Sequence, residues 1–274
     1  MRVITLIIIL LAISQIVSIF EFKNLKYINK NNNKFIHIKS DNNNYIKVLR
    51  IINNLKMFDT ITNTDFGELH IYNDEDFSLP ESINKFRHVQ ILRIFGPVLD
   101  ISQIYNFMNL EILFLLRSKV EHVDVRILNL SKLKQLIIIG SELKSLPREI
   151  GRLSKLETLF LDDNNHLSQL PDSVSMLTNL KTLDCDECKL SKLPNLERLK
   201  NITRLDFSSN LLEEIPESVS KLESLEMAFF NDNKIKFIPK SLGNLRKLKI
   251  LLVAKNNIND IPQEFRHSRV NITL

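Results

Sequence analysis

The chain has 274 residues, 44% of them hydrophobic and 25% charged, and its 37 Lys and Arg outweigh 32 Asp and Glu to give a formal charge of +5. That balance excludes a disordered or collagenous polymer, and two cysteines cannot staple so long a chain. Five glycines, where average usage gives about 19, leave neither G-x-G-x-x-G nor G-x-x-x-x-G-K-[ST], so nucleotide-cradling loops are excluded too. The length lies near the upper limit for one round core, and 44 Leu with 34 Ile favour the linear core of a solenoid over two separate domains.

Residues 1 to 20, MRVITLIIILLAISQIVSIF, place Arg2 before an unbroken apolar run from Leu6 to Ile13, followed by the small residues Ser14 and Ser18. This order predicts a secretory signal peptide over residues 1–18 and a secreted protein. The alternative is an uncleaved anchor over residues 3–20, because Val3 to Phe20 approaches the roughly 20 residues of a bilayer crossing. Arg2 on one side and Lys23, Lys26, Lys30 and Lys34 on the other do not choose an orientation. Three glycosylation triplets, at Asn129, Asn201 and Asn271, are no more than the Asn, Ser and Thr content produces by chance.

Residues 19–65 read as an amino-terminal cap. Within them KFIHIKSDNNNYIKVLRII, from Lys34 to Ile52, reads as two strand-like runs joined by an Asn-rich turn, a hairpin; the other reading is a low-complexity linker.

From residue 110 one pattern recurs: apolar, two residues, apolar, one, apolar, two, a polar residue, one, apolar, then Leu-Pro or Ile-Pro. The copies begin at Leu110, Leu133, Leu156, Leu180, Ile202, Leu225 and Leu248, six steps over 138 residues, or 23 per step. Weaker copies begin at Phe66 and Val89, for about nine in residues 66–270. Seven of the eight prolines occupy one slot of this pattern: Pro80, Pro147, Pro171, Pro194, Pro216, Pro239 and Pro262. The L-x-L segment predicts a short strand with two inward residues, adjacent copies pairing into a parallel sheet. Asn164, Asn210, Asn233 and Asn256 fall where the chain leaves the strand, and an inward amide there satisfies backbone groups of neighbouring coils. Proline then ends the ladder, and P-x-x-[IV]-x-x-L packs a loose or helical segment behind. A coil of this kind, built on Leu, Asn and Pro, has little call for glycine.

This pattern resembles the leucine-rich repeats of the roughly 23-residue LP-x-x-I-x-x-L-x-x-L-x-x-L-x-L-x-x-N subclass, shared with Ras-suppressor and plant intracellular Ras-group-related proteins. The resemblance implies an α/β fold: a horseshoe solenoid with a parallel sheet on its concave face and loops or short helices on its convex face. It also implies a binding module without enzymatic activity, cofactor or metal. Residues 263–274, with Phe265 and Val270, supply a carboxy-terminal half-coil cap.

Cys185-x-x-Cys188 has a redox or metal look, yet in the repeat register Cys185 takes a strand leucine position and Cys188 the asparagine position. Both should point inward as structural thiols, and no second pair of ligands exists for zinc. The six histidines are dispersed, and no catalytic spacing appears.

Binding information belongs to positions the repeat leaves free, the outward residues of each strand. The early coils present Ile91, Phe95, Ile112, Phe114, Leu116, Ile137 and Ile139 there, an apolar patch suited to a protein partner. The later coils present Asp162, Asp163, Asp184, Asp186, Glu187, Asp206 and Asp232 against Arg204 alone, an acidic stripe that complements a basic partner. The cations sit mostly on the outer segments without interleaved aromatics, a poor base-reading surface, so no nucleic acid is expected and a membrane only if the amino-terminal segment stays uncleaved. The sequence thus predicts an exported module that binds a basic and apolar protein surface in its concave face; the alternative is a membrane-anchored or intracellular signalling scaffold.

Overall fold

The computed structural model describes residues 34–41, 44–62, 64–265, 268 and 270–273. The predicted signal peptide or anchor lies outside the described residues. The repeats lie within the compact unit Ile36–Leu274.

The strands in chain order are β1 (Lys34–Asp41), β2 (Asn44–Ile52), β3 (Glu68–Tyr72), β4 (Phe77–Ser78), β5 (Ile91–Phe95), β6 (Val98–Asp100), β7 (Ile112–Leu116), β8 (Gln135–Ile139), β9 (Thr158–Phe160), β10 (Thr182–Asp184), β11 (Arg204–Asp206), β12 (Met227–Phe229), β13 (Ile250–Leu252) and β14 (Asn271–Thr273). All but β4 and β6 form a single sheet in chain order, parallel from β2 to β14, while β4 and β6 pair with each other. Each coil contributes one strand and returns behind the sheet, so this is the leucine-rich-repeat solenoid the pattern predicts.

The structure adds a coil the pattern count omits. β2 pairs in parallel with β3, Val48 opposite Glu68 and Ile52 opposite Tyr72, so it takes the strand place of a coil ahead of Phe66. Leu49 and Ile51 of this strand are fully buried, and its return through the Met57–Thr60 helix buries Phe58, Ile61 and Phe66. β1 is its neighbour in the sheet.

Proline has a local cause at each of four slots. Pro80, Pro171, Pro216 and Pro239 hold φ between −70° and −57° and ψ between 128° and 154°, each directly before a 3-10 helix of 5 or 6 residues. The N–H three residues on, from Ile83, Val174, Val219 or Leu242, donates back to the proline carbonyl at 3.0–3.1 Å, and that same residue is fully buried. Proline thus sets the turn that aims the next apolar side chain inward.

The asparagine positions act across coils. Asn210 donates from Nδ2 to the carbonyls of Cys185, Phe207 and Ser208 at 2.8, 3.2 and 2.8 Å, and its Oδ1 accepts from the Leu190 N–H at 2.9 Å. Asn164, Asn233 and Asn256 repeat this arrangement, whereas Ser118 and Ser141 replace it with a hydroxyl pair 2.9 Å apart.

Scarce glycine has a different meaning from the one the pattern suggests. The residue just before the ladder position is left-handed in coil after coil: Asn53, Arg117, Gly140, Asp163, Glu187, Ser209, Asp232 and Lys255 have φ between 48° and 59°. Glycine would fit this turn best, and the chain places larger residues there at a conformational cost.

Candidate functional site

The open face of the sheet carries three rows, because alternate strand residues point away from the core and the parallel register stacks them. The central row runs Arg50, His70, Arg93, Phe114, Ile137, Phe160, Asp184, Asp206, Phe229 and Leu252. Read along the solenoid, it is basic, then apolar, then acidic, then apolar again.

In the apolar block the structure departs from the expected exposure. Phe114 and Ile137 are 3% and 5% exposed, so they are buried and not presented to solvent. Each is wedged along the central row, Phe114 between Arg93 and Ile137, Ile137 between Phe114 and Phe160. The flanking rows keep partial access: Ile91 and Ile112 on one side, Phe95, Leu116 and Ile139 on the other are half-buried. Tyr72 stacks on Phe95 with ring centroids 4.4 Å apart, and Phe95 leans on Phe114 at 5.3 Å, which makes an aromatic run across three strands.

At the amino-terminal end a polar trio fills the face. Arg93 donates to Glu68 at 2.6 Å, and the His70 ring nitrogen Nε2 lies 3.0 Å from the same carboxylate oxygen and 2.7 Å from the Arg93 guanidinium. Burial alone would raise the Glu68 carboxyl, but the His70 contact and the Arg93 charge outweigh it and bring it down to about 2. Burial pushes the His70 ring below its ordinary value, and the adjacent guanidinium adds to that. Arg50 joins this end of the row through β2, which the pattern count left out; the spacing Ile46-x-x-Leu49-x-Ile51-x-x-Asn54 is the signal that identifies it.

The seven predicted carboxylates separate into two groups. Asp163, Glu187 and Asp232 occupy the left-handed turn beyond the strand ends and are exposed. Asp232 there meets Lys255 at 3.2 Å, both largely in solvent, a pairing of small energetic weight. Asp184 and Asp206 instead pack against Arg204, whose Nη2 donates to each at 2.8 Å and whose guanidinium lies over the Phe229 ring at 4.6 Å, while Asp162 and Asp186 feel its charge from nearby. Asp184 and Asp206 are 3% and 9% exposed. Burial and mutual repulsion push both carboxyls well above the ordinary carboxylate range, and burial lifts Asp162, which shares a hydrogen bond with Asp184, to about 7. The stripe is therefore less negative near neutral pH than a count of seven suggests. Its polar needs are also incompletely met: Arg204 Nε and Arg204 Nη1 are buried without a hydrogen-bond partner.

Cys185 and Cys188 are buried free thiols. Cys188 stands in the asparagine position and donates to the Leu161 carbonyl at 3.2 Å; burial pushes its thiol up to about 12 and lifts that of Cys185 as well. Among the described residues no group of His, Cys, Asp and Glu could hold a metal ion, and no helix is long and apolar enough to cross a membrane.

With the coils and their face in place, residues 88–213 match a family model described as a leucine-rich repeat region. The protein carries leucine-rich repeats. Among curated proteins it is similar to the disease resistance-like protein DSC1 of Arabidopsis thaliana, 30% identical over 177 residues that cover 54% of this chain and 13% of that one. It is also similar to the adenylate cyclase of Schizosaccharomyces pombe, 35% identical over 79 residues, 28% of this chain and 5% of that one. The chain thus spans a small fraction of the curated relatives it matches.

Solved structures agree on the fold. A TDR receptor matches with a TM-score of 0.69 at 28% identity, covering 80% of this chain and 39% of the receptor. The plant peptide hormone receptor RGFR1, solved in complex with RGF2, matches with a TM-score of 0.65 at 24% identity over 86% of this chain and 40% of that one. A leucine-rich-repeat protein of Leptospira interrogans matches with a TM-score of 0.60 at 24% identity over 80% of this chain and 64% of that one.

Proposed function

We propose that this protein is a non-enzymatic recognition module that binds a partner protein across the open, concave face of its sheet and does so after export. The observation that carries the reading is the half-buried apolar block formed by Ile91, Phe95, Ile112, Leu116 and Ile139, set between a basic and an acidic end of one continuous face. Apolar side chains on the open face of a parallel sheet gain by being covered, and flanking charge steers and orients whatever covers them. RGFR1, one of the structural neighbours, was solved with RGF2 bound, which supports a polypeptide ligand for this chain as well.

The test is affinity capture with the full chain and with an Ile112→Ser, Leu116→Ser double variant. These half-buried positions lose apolar contact without placing a charge in the core. The variant should retain its circular dichroism and lose the partner; capture of the same partner at equal strength removes the face from the function. Mass measurement of the mature amino terminus addresses export. A chain beginning near Ile19 supports secretion, and an intact Met1 supports the anchored scaffold.

A further inference from the structure

A second surface lies away from the open face, on the rim where each coil re-enters the sheet. The turns that feed β8 to β12 stack along it, because the residue just before each strand donates its N–H to the same position of the preceding coil, from Lys134 on Glu111 to Glu226 on Thr203, at 2.8–2.9 Å. The carboxylates of this ladder are cancelled by lysines of the next coil, Glu111 by Lys134 at 2.8 Å and Glu157 by Lys181 at 2.7 Å. The turns are not balanced in this way. Lys132, Arg152, Lys155, Arg198, Lys200 and Lys221 are exposed and form no ion pair among the described residues, and Glu197 and Glu223 are the carboxylates that accompany them. Lys132 and Lys200 each donate to a neutral oxygen, Asn109 Oδ1 at 2.6 Å and the Lys221 carbonyl at 3.1 Å, which leaves their charge in place. Met176 ends its 3-10 helix where Arg152 and Lys221 end theirs, and it is 51% exposed.

We infer that this rim lies against an anionic lipid bilayer, its cations over the headgroups and Met176 among them at the acyl boundary. The coils repeat at about 4.8 Å, well inside a Debye length of about 8 Å at physiological salt, so the fields of neighbouring turns add. The cations stand at several positions of each turn, at the end of the 3-10 helix in Arg152 and Lys221 and two or three residues beyond it in Lys132 and Lys155. They form a band, which suits a plane of charge better than a single linear polyanion. An exposed thioether within that band gains from hydrocarbon, while the lysine and arginine stems beside it lie along the same boundary with their heads in the phosphate layer. The rim is at one end of every strand, so a protein resting on it keeps the open face of its sheet clear of the bilayer. The folded coils make this contact themselves, and no anchoring segment is needed for it.

The experiment is sedimentation of the full chain with phosphatidylcholine vesicles, with and without phosphatidylserine. Phosphatidylserine should increase binding, and added salt should reverse the increase. The triple variant Arg152→Gln, Lys155→Gln, Arg198→Gln should weaken binding by about fivefold for each cation, about a hundredfold in all. Lys189→Gln, Lys192→Gln, Lys234→Gln removes the same charge from exposed positions beyond the other end of the strands, and it should weaken binding by less than about threefold. All six positions are exposed, so thermal melts of both variants should match the wild type. Met176→Ser should weaken binding to the vesicles and leave retention on immobilised heparin unchanged, which separates a bilayer from a soluble polyanion. Equal losses from the two triple variants would reduce the effect to net charge and overturn the inference. Binding that ignores phosphatidylserine and survives the rim substitutions, as insertion of residues 3–20 would produce, overturns it too. Rim-dependent retention on heparin with no binding to vesicles would overturn it in favour of a sulfated polysaccharide.

Discussion

Asn233 donates from Nδ2 to the carbonyl of Phe207, 2.8 Å away and one coil earlier in the chain. Its Oδ1 accepts the Leu212 N–H at 2.9 Å and its Nδ2 also reaches the Phe230 carbonyl of its own coil at 3.2 Å, so one buried side chain answers backbone groups on two coils. Removing it orphans the Leu212 N–H and leaves the Phe207 carbonyl with the Asn210 amide alone, and an orphaned buried group costs about 1–3 kcal/mol. Asn233→Ala should therefore lower unfolding free energy by about 2–4 kcal/mol in urea titration. Asn165→Ala, one residue beyond the ladder and exposed, should change it by less than about 0.5 kcal/mol; equal losses would mean that the ladder does not hold the coils together.

The left-handed residue before each ladder position gives a pair of opposite expectations. Arg117 is exposed at φ 57°, and Arg117→Gly should raise stability by about 0.5–1 kcal/mol by removing the steric cost of a side chain in that region. Gly96 has φ 116°, and a Cβ there would stand 1.7 Å from the Asn73 carbonyl oxygen. Gly96→Ala should destabilise by more than about 3 kcal/mol, because the obstacle is backbone that cannot rotate away. Thermal melts of the two variants against the wild type decide both.

The sequence carries the coils in full where leucine, asparagine and proline recur at 23-residue spacing, because each of those residues has one geometric job and the job repeats. It carries the coil of β2 only faintly. There Asn54 keeps the ladder place, but the return from Asn53 to Phe66 has no proline to mark it. The identities of the face residues are equally legible, since outward positions alternate with the buried leucines. Their environment is not. Whether Phe114 is exposed depends on the sizes of Arg93 and Ile137 beside it, and whether Asp184 is ionised depends on Asp162, Asp206 and Arg204, which come from two other coils. The left-handed turn also escapes the pattern, for its occupants Arg117, Asp163, Glu187, Ser209 and Lys255 share no chemistry.

The two thiols provide a probe of coil opening. Cys185 and Cys188 are buried, and the Cys188 thiol, pushed up to about 12, has almost no thiolate at neutral pH. Native protein should resist an aromatic disulfide reagent, and both cysteines should react at once after denaturation. Rapid labelling of the native chain would mean that the coil from Leu180 opens readily.

Acidity should change stability from both ends of the face, in opposite directions. At the acidic end the folded carboxyls hold protons more tightly than the unfolded chain does: Asp162 rises from 3.8 to about 7, and Asp184 and Asp206 rise too. The stability they contribute is complete below pH 3.8 and is lost as pH rises through the folded values, because the native state then binds the excess protons. At the basic end Glu68 falls from 4.5 to about 2, so its contribution is present above pH 4.5 and is lost as pH drops toward 2. His70, lowered from 6.5, adds to the loss on the acid side, since the unfolded ring takes up a proton that the buried ring refuses. Three carboxyls oppose one imidazole between these limits, so stability should be greater near about pH 5.5 than near about pH 8. Asp162→Asn removes a titrating group while keeping its shape, and it should flatten the decline toward alkaline pH; Glu68→Gln should flatten only the acid limb. Melting temperatures of the three proteins across the range settle the assignment, and an Asp162→Asn profile parallel to the wild type would show that the carboxyl cluster does not govern the alkaline decline.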